Sequence, residues 1–124
     1  MTGWWWGAVS VAGAAGAVCR YVVDFAVSAR ISGAIPLGTL VVNVTGSLLF
    51  GFVAGALGTV SEGAGLTLAV GFCGAYTTFS THMAECLELA RERRQAALWI
   101  NVVGSLVAGV VAASAGLLLG AGLA

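Results

Sequence analysis

Between residues 71 and 85 the chain reads GFCGAYTTFSTHMAE, glycines followed by a run of hydroxyl side chains inside an apolar segment. In hydrocarbon a backbone N–H or C=O has no water to bond, so a helix is broken there only inside protein or beside a polar cavity. Gly74 leaves helical geometry at little steric cost, and Thr77, Thr78, Ser80 and Thr81 carry hydroxyls able to bond freed backbone groups. The expectation is an unwound stretch near Gly74–Thr77, with a second half-helix starting near Thr78. Carbonyl oxygens released at such a break are hard ligands for a small cation, and the N-terminus of the second half-helix favours an anion. Glu85 and Glu88 early on that half, and Arg91, Arg93 and Arg94 late, follow the order the helix dipole prefers. The competing expectation is an unbroken helix whose Thr and Ser hydroxyls merely bond back to the preceding turn.

The other polar residues in apolar runs are few. Asn43 lies one turn after Thr39, and Asn101 one turn before Ser105, so each pair shares a helix face. Each Asn is either a hydrogen-bonded link between helices or part of a polar path. No acid stands at the centre of an apolar run: Asp24 is near the end of the first, and Glu85 lies beyond the break. A proton-coupled pump needs a titratable carboxylate at depth. Its absence favours passive permeation past amide N–H, hydroxyl O–H and the positive rims of aromatic rings, a lining suited to a small hydrated anion.

The elements that position these groups follow from composition. Of 124 residues 60% are hydrophobic and 8% charged, against about 25% charged in a soluble domain. The chain is an integral, multi-pass membrane protein with no expected enzyme chemistry, and zero net charge gives no reason to expect nucleic-acid binding. Crossing a bilayer takes about 20 apolar residues. Four runs qualify, 4–28, 37–57, 65–89 and 97–119, the second preceded by Pro36, which suits a helix start. The connectors 29–35, 58–64 and 91–96 are too short for a soluble domain, so residues 1–124 read as one four-helix unit, all-α. The start MTGWWWGAVS lacks the basic residues of a signal peptide, and its tryptophans suit a membrane interface; the first helix is expected to be retained. Cys19, Cys73 and Cys86 are not spaced as a metal or disulfide motif and read as small buried hydrophobes. Many of the 19 glycines, Gly51 and Gly55 with Gly46 just before them, have the spacing that lets membrane helices pack closely.

With these pieces assembled, the chain resembles the CrcB/Fluc family of fluoride channels. The resemblance rests on GAAGAVCRY from Gly13 to Tyr21, PLGTLVVNVTGS from Pro36 to Ser47, and GAYTTFST from Gly74 to Thr81 followed by Glu85, and it covers nearly the whole chain in order and spacing. It implies an antiparallel dimer of four-helix subunits, a broken third helix, fluoride pores and a structural Na⁺ at the dimer interface. By matching position, the backbone carbonyls of Gly74 and Thr77 bind Na⁺ with the same pair from a second subunit. Asn43 and the ring edge of Phe79 contact fluoride, Thr39, Thr81 and Ser105 belong to a polar track, and Arg20 lies towards an aqueous vestibule. The implied function is passive fluoride efflux across the cell membrane, lowering cytoplasmic fluoride.

Two departures stand out. Where the family has a second phenylalanine, giving TTFSTF, this chain has His82. An imidazole still donates N–H to an anion, and histidine as a class titrates near neutral pH, so His82 is a candidate pore or gating residue as well as a candidate for a relaxed, non-conducting pore. The arginines are also lopsided. Arg30, Arg91, Arg93 and Arg94 fall on the first and third connectors, and the side bearing both termini and the second connector has neither Arg nor Lys. That bias implies one fixed orientation, arginine loops cytoplasmic, and one half of a heterodimer in preference to a dual-topology homodimer. The rival readings are a small multidrug transporter of similar length, which needs an acid within its first helix, and a non-transporting assembly protein whose glycines serve packing alone. Cysteine-accessibility labelling in intact cells is expected to show the second connector outside and the arginine connectors inside; equal labelling of each from both sides would refute a fixed orientation.

Overall fold

Long apolar stretches free of proline form three uninterrupted helices. They are α1 (Trp4–Arg30), α2 (Leu37–Gly55) and α6 (Gln95–Ala121), each long and apolar enough to cross a membrane. The computed structural model describes residues 3–57 and 59–124. Pro36 stands just before α2 with extended backbone, so its missing N–H removes no helical hydrogen bond. The expected third run is not one helix. It starts as α3 (Glu62–Leu66), widens into π-type turns over Thr67–Cys73, tightens again in α4 (Gly74–Tyr76), breaks, and resumes as α5 (Ser80–Arg91). Ser61 Oγ accepts from Ala64 N at its start, and Glu62 complements the dipole there.

Contacts at the ends of the elements define two sides. Arg94 Nη2 donates to Ala34 O at 2.7 Å, which joins the first and third connectors. At the other end a side chain on Gly63 would collide with the Trp5 ring, so the start of α1 lies against the start of α3. The α2–α6 pair closes that end, with Gly120 against the carbonyl of Phe52. The helical path through residues 62–91 therefore runs from the side of the termini to the side of the arginines.

Two glycine stripes hold α2 against α6. A Cβ at Gly51 or Gly55 would fall on the backbone of Ala113 or Leu117, and a Cβ at Gly116 or Gly120 on that of Leu48 or Phe52. The Gly51–Gly55 spacing thus does what its sequence suggested, and Gly116–Gly120 answers it from α6. With backbones this close, dispersion contacts replace the hydrophobic driving force that lipid does not supply. The outward faces of α1 and α6 remain apolar and exposed, Val11, Val18, Leu106, Val110 and Leu118 among them, as a lipid or subunit boundary requires.

Gly116→Ala is expected to destabilise the chain by about 1–3 kcal/mol, because its Cβ meets backbone that cannot rotate away. Gly104→Ala, whose Cβ meets nothing within 4 Å, is expected to change stability little. Denaturant unfolding in mixed micelles, followed by tryptophan fluorescence, compares the two; equal stability would refute the α2–α6 contact.

Candidate functional site

The break falls at residues 77–79, later than the sequence reading placed it. Gly74 keeps helical dihedrals, Thr77 turns to extended backbone (φ −78°, ψ 159°), and the second half-helix starts at Ser80. The unbroken helix is excluded, and so is an unwound Gly74. The hydroxyls stabilise both flanks. Thr77 N and Thr77 Oγ1 both donate to Cys73 O, at 3.0 and 2.9 Å, closing α4. Thr78 Oγ1 accepts from Thr81 N at 3.3 Å, the bond of an N-cap, and bonds Thr81 Oγ1 at 3.2 Å.

Asn43 spans the gap from α2. Its Oδ1 accepts from Thr78 N at 2.8 Å and its Nδ2 donates to Thr78 O at 2.9 Å. One side-chain amide thus takes the place of the two peptide groups Thr78 would have bonded in a continuous helix. The close approach needs Gly46, where a Cβ would strike Thr77 Cγ2 and the Tyr76 ring. Tyr76 is buried, its hydroxyl 2.9 Å from Thr45 Oγ1, which pins the end of α4 to α2.

The same bonds leave carbonyls free. Thr78 N, the normal partner of Gly74 O, is committed to Asn43, and Thr81 N, the normal partner of Thr77 O, is committed to Thr78 Oγ1. Among the described residues neither Gly74 O nor Thr77 O accepts a hydrogen bond from another backbone group outside its helix or from a side chain. Gly74 and Thr77 both line an open depression of about 260 Å³ with Gly46, Ser47 and Ala113. Two unpaired carbonyl-bearing positions on one depression fit the donor chemistry of a hard cation.

The remaining candidate residues divide between two cavities that share Thr78. A recess of about 250 Å³ is lined by Asn43, Ser47, Thr77, Thr78, Phe79 and His82, with the Phe79 ring 75% exposed. A second cavity of about 220 Å³ brings Arg20 and Asp24 of α1 together with Thr39, Thr78 and Thr81. Ser105 joins neither: its Oγ donates to Asn101 Oδ1 at 3.4 Å, and Asn101, 2% exposed, donates from Nδ2 to Cys86 Sγ at 3.5 Å. Asn101 is thus a link between α6 and α5.

Sequence reasoning missed one contact outright. Buried Thr39 donates from Oγ1 to Glu85 Oε1 at 2.6 Å, and Glu85 Oε2 is buried with no partner among the described residues. Glu85 was read as lying beyond the break. It does, but the second half-helix leans on α2 and carries the carboxylate to the wall beside Thr39. Asn43 and Thr39 sit four apart on one face of α2, a spacing that could have indicated two anchors for the same half-helix.

Long apolar helices packed around one discontinuous helix, with polar side chains gathered at the discontinuity, define a helical membrane protein of the kind that binds or passes small solutes at the break. The chain belongs to the CrcB family: residues 7–117 match the family described as CrcB-like protein, Camphor Resistance (CrcB). It is 47% identical over 111 residues to the "Fluoride-specific ion channel FluC 2" of Mycolicibacterium paratuberculosis, covering 90% of this chain and 89% of that one. It is 45% identical over 117 residues to a protein of the same name from Cutibacterium acnes (90% and 94% covered) and 44% over 116 residues to that of Natronomonas pharaonis (94% of each). Membership removes the multidrug-transporter reading.

Replacing Asn43 with Ala leaves a part-buried N–H and C=O of Thr78 unpaired, at an expected cost of about 1–3 kcal/mol. Asn43→Asp keeps the acceptor for Thr78 N and loses the donor to Thr78 O. Unfolding in mixed micelles is expected to rank wild type above both variants; an Ala variant as stable as wild type would show that Asn43 does not brace the break.

Proposed function

We propose that this chain is a subunit of a fluoride-selective channel that lowers cytoplasmic fluoride by passive efflux. The observation carrying this reading is the lining of the recess at the break. It offers an amide, hydroxyls, an aromatic ring and an imidazole, and no carboxylate. The amide of Asn43 has two N–H groups, of which Thr78 O uses one. The second, with the Phe79 rim and His82, is a donor for an anion that sheds water. Arg20 stands in the adjoining cavity beside Asp24, and Thr39 and Thr81 continue the polar wall from there. Ser105 belongs to this track only if its bond to Asn101 opens. The names of the relatives agree with fluoride as the permeant ion.

The working unit is four membrane passes, residues 62–91 supplying the third, paired antiparallel with a second subunit. The Gly74 and Thr77 carbonyls suit a Na⁺ shared with the equivalent pair of that subunit, where the cation would tie the two breaks together. The arginine bias favours a heterodimer: Arg30, Arg91, Arg93 and Arg94 lie on one side, and Arg94 physically joins the two connectors that carry them. A subunit of opposite bias would complete it.

Fluoride-electrode recordings on liposomes are expected to show little efflux from this chain alone, and strong efflux with no chloride flux when an oppositely biased family subunit is co-reconstituted. Absence of flux in both preparations would refute a fluoride channel. Strong flux from this chain alone, inserted in both orientations, would refute the heterodimer.

A further inference from the structure

His82 and Cys86 are one turn apart on one face of α5, with Cys86 Sγ 3.9 Å from His82 Nε2. Thiolate and imidazole donors bind Zn²⁺ at about 2.3 and 2.0–2.1 Å, so two such donors on one ion stand roughly 3.5–4 Å apart. The pair therefore has the spacing of a chelate without any movement of the helix. Asn101 Nδ2 directs an N–H to the sulfur at 3.5 Å, and Ser105 Oγ holds Asn101 Oδ1 at 3.4 Å. Cys86 and Asn101 are buried, so the sulfur is oriented by a fixed partner, as outer-shell groups orient metal ligands. His82 lines the recess, giving the pair an approach from the polar side.

We propose that His82 and Cys86 form a site for a thiophilic divalent cation, of the Zn²⁺ or Cd²⁺ class, which closes the recess to anions. Sulfur and imidazole select such ions over Na⁺, Mg²⁺ or Ca²⁺, which take oxygen ligands. The ion binds the sulfur as thiolate, and the displaced thiol proton passes to water. No third His, Cys, Asp or Glu joins the two among the described residues, so the remaining positions fall to water or to an anion from the recess. An anion held on a dication at the wall binds too tightly to leave, and conduction needs departure as well as entry. The block rests on the fluoride pathway proposed above; the binding does not.

Cd²⁺ titration of the reduced, purified full chain, followed by the ultraviolet thiolate-to-metal charge-transfer band, tests binding directly. One Cd²⁺ per chain is expected, released by a chelator. Cys86→Ser and His82→Phe each remove a ligand and are expected to weaken binding at least about tenfold, since losing even an outer-shell partner costs about 10–100-fold. Cys19→Ala, which removes the exposed thiol, is expected to leave the band intact. A wild-type chain without the band, or a Cys86→Ser chain that keeps it, overturns the site. In fluoride-conducting liposomes containing this chain, Cd²⁺ is expected to cut flux through its pore and a chelator to restore it. Bound Cd²⁺ with undiminished flux overturns the block. Liposomes without fluoride flux before Cd²⁺ is added count against the channel, while the charge-transfer band still decides the site.

Discussion

The packing of α2 against residues 77–79 answers one constraint: a peptide group inside an apolar bundle must keep a hydrogen-bond partner. The continuous helix would supply partners automatically. Once it opens, each orphaned group costs roughly several kcal/mol, and water is not at hand. Asn43 meets the demand at Thr78 with one amide and two bonds. That solution sets conditions on its surroundings. The amide must arrive edge-on, so α2 must touch the break, so residue 46 must lack a side chain. α2 must also stay in place, which the reciprocal glycines of α2 and α6 ensure. The Tyr76–Thr45 bond and the Thr78 cap then keep the two half-helices from drifting in angle.

The repair is deliberately incomplete in its chemistry. Donors are satisfied at Thr78 and Thr81, while acceptors at Gly74 and Thr77 are not. A carbonyl has two lone pairs and tolerates a single partner, or an ion, more readily than an N–H tolerates none. Gly74 lines one depression and the Asn43 amide and His82 imidazole line another, with Thr77 and Ser47 on the wall between them.

Much of this was legible in the residues. Runs of apolar composition locate α1, α2 and α6, and the spacing of Gly51 and Gly55 marks a close helix contact. The break was legible as a clash of types, hydroxyls and glycines where hydrocarbon was required. Its exact register was not, because Gly74 permits unwinding without demanding it, and the choice belongs to Asn43, 35 residues away in sequence. The Thr39–Glu85 bond was hidden for the same reason: a carboxylate near a helix end looks solvated until the tilt of that helix is known. Ser105 shares a face with Asn101 as its spacing implied, but which way that face turns depends on packing against α5.

The widened turns at Thr67–Cys73 pass unnoticed in the sequence, since TLAVGFC is ordinary helical material. They have a consequence for how the family can change. A π-type turn holds more residues than an α turn, so it works as a phase shifter between the entry at Ser61 and the break. Winding the same residues as a regular α-helix would rotate all that follows by roughly 100°. Thr78 would then turn away from Asn43, and the carbonyls of Gly74 and Thr77 would face a different neighbour. The angular position of the break is thus set several residues upstream of it, in turns that look unremarkable in the sequence.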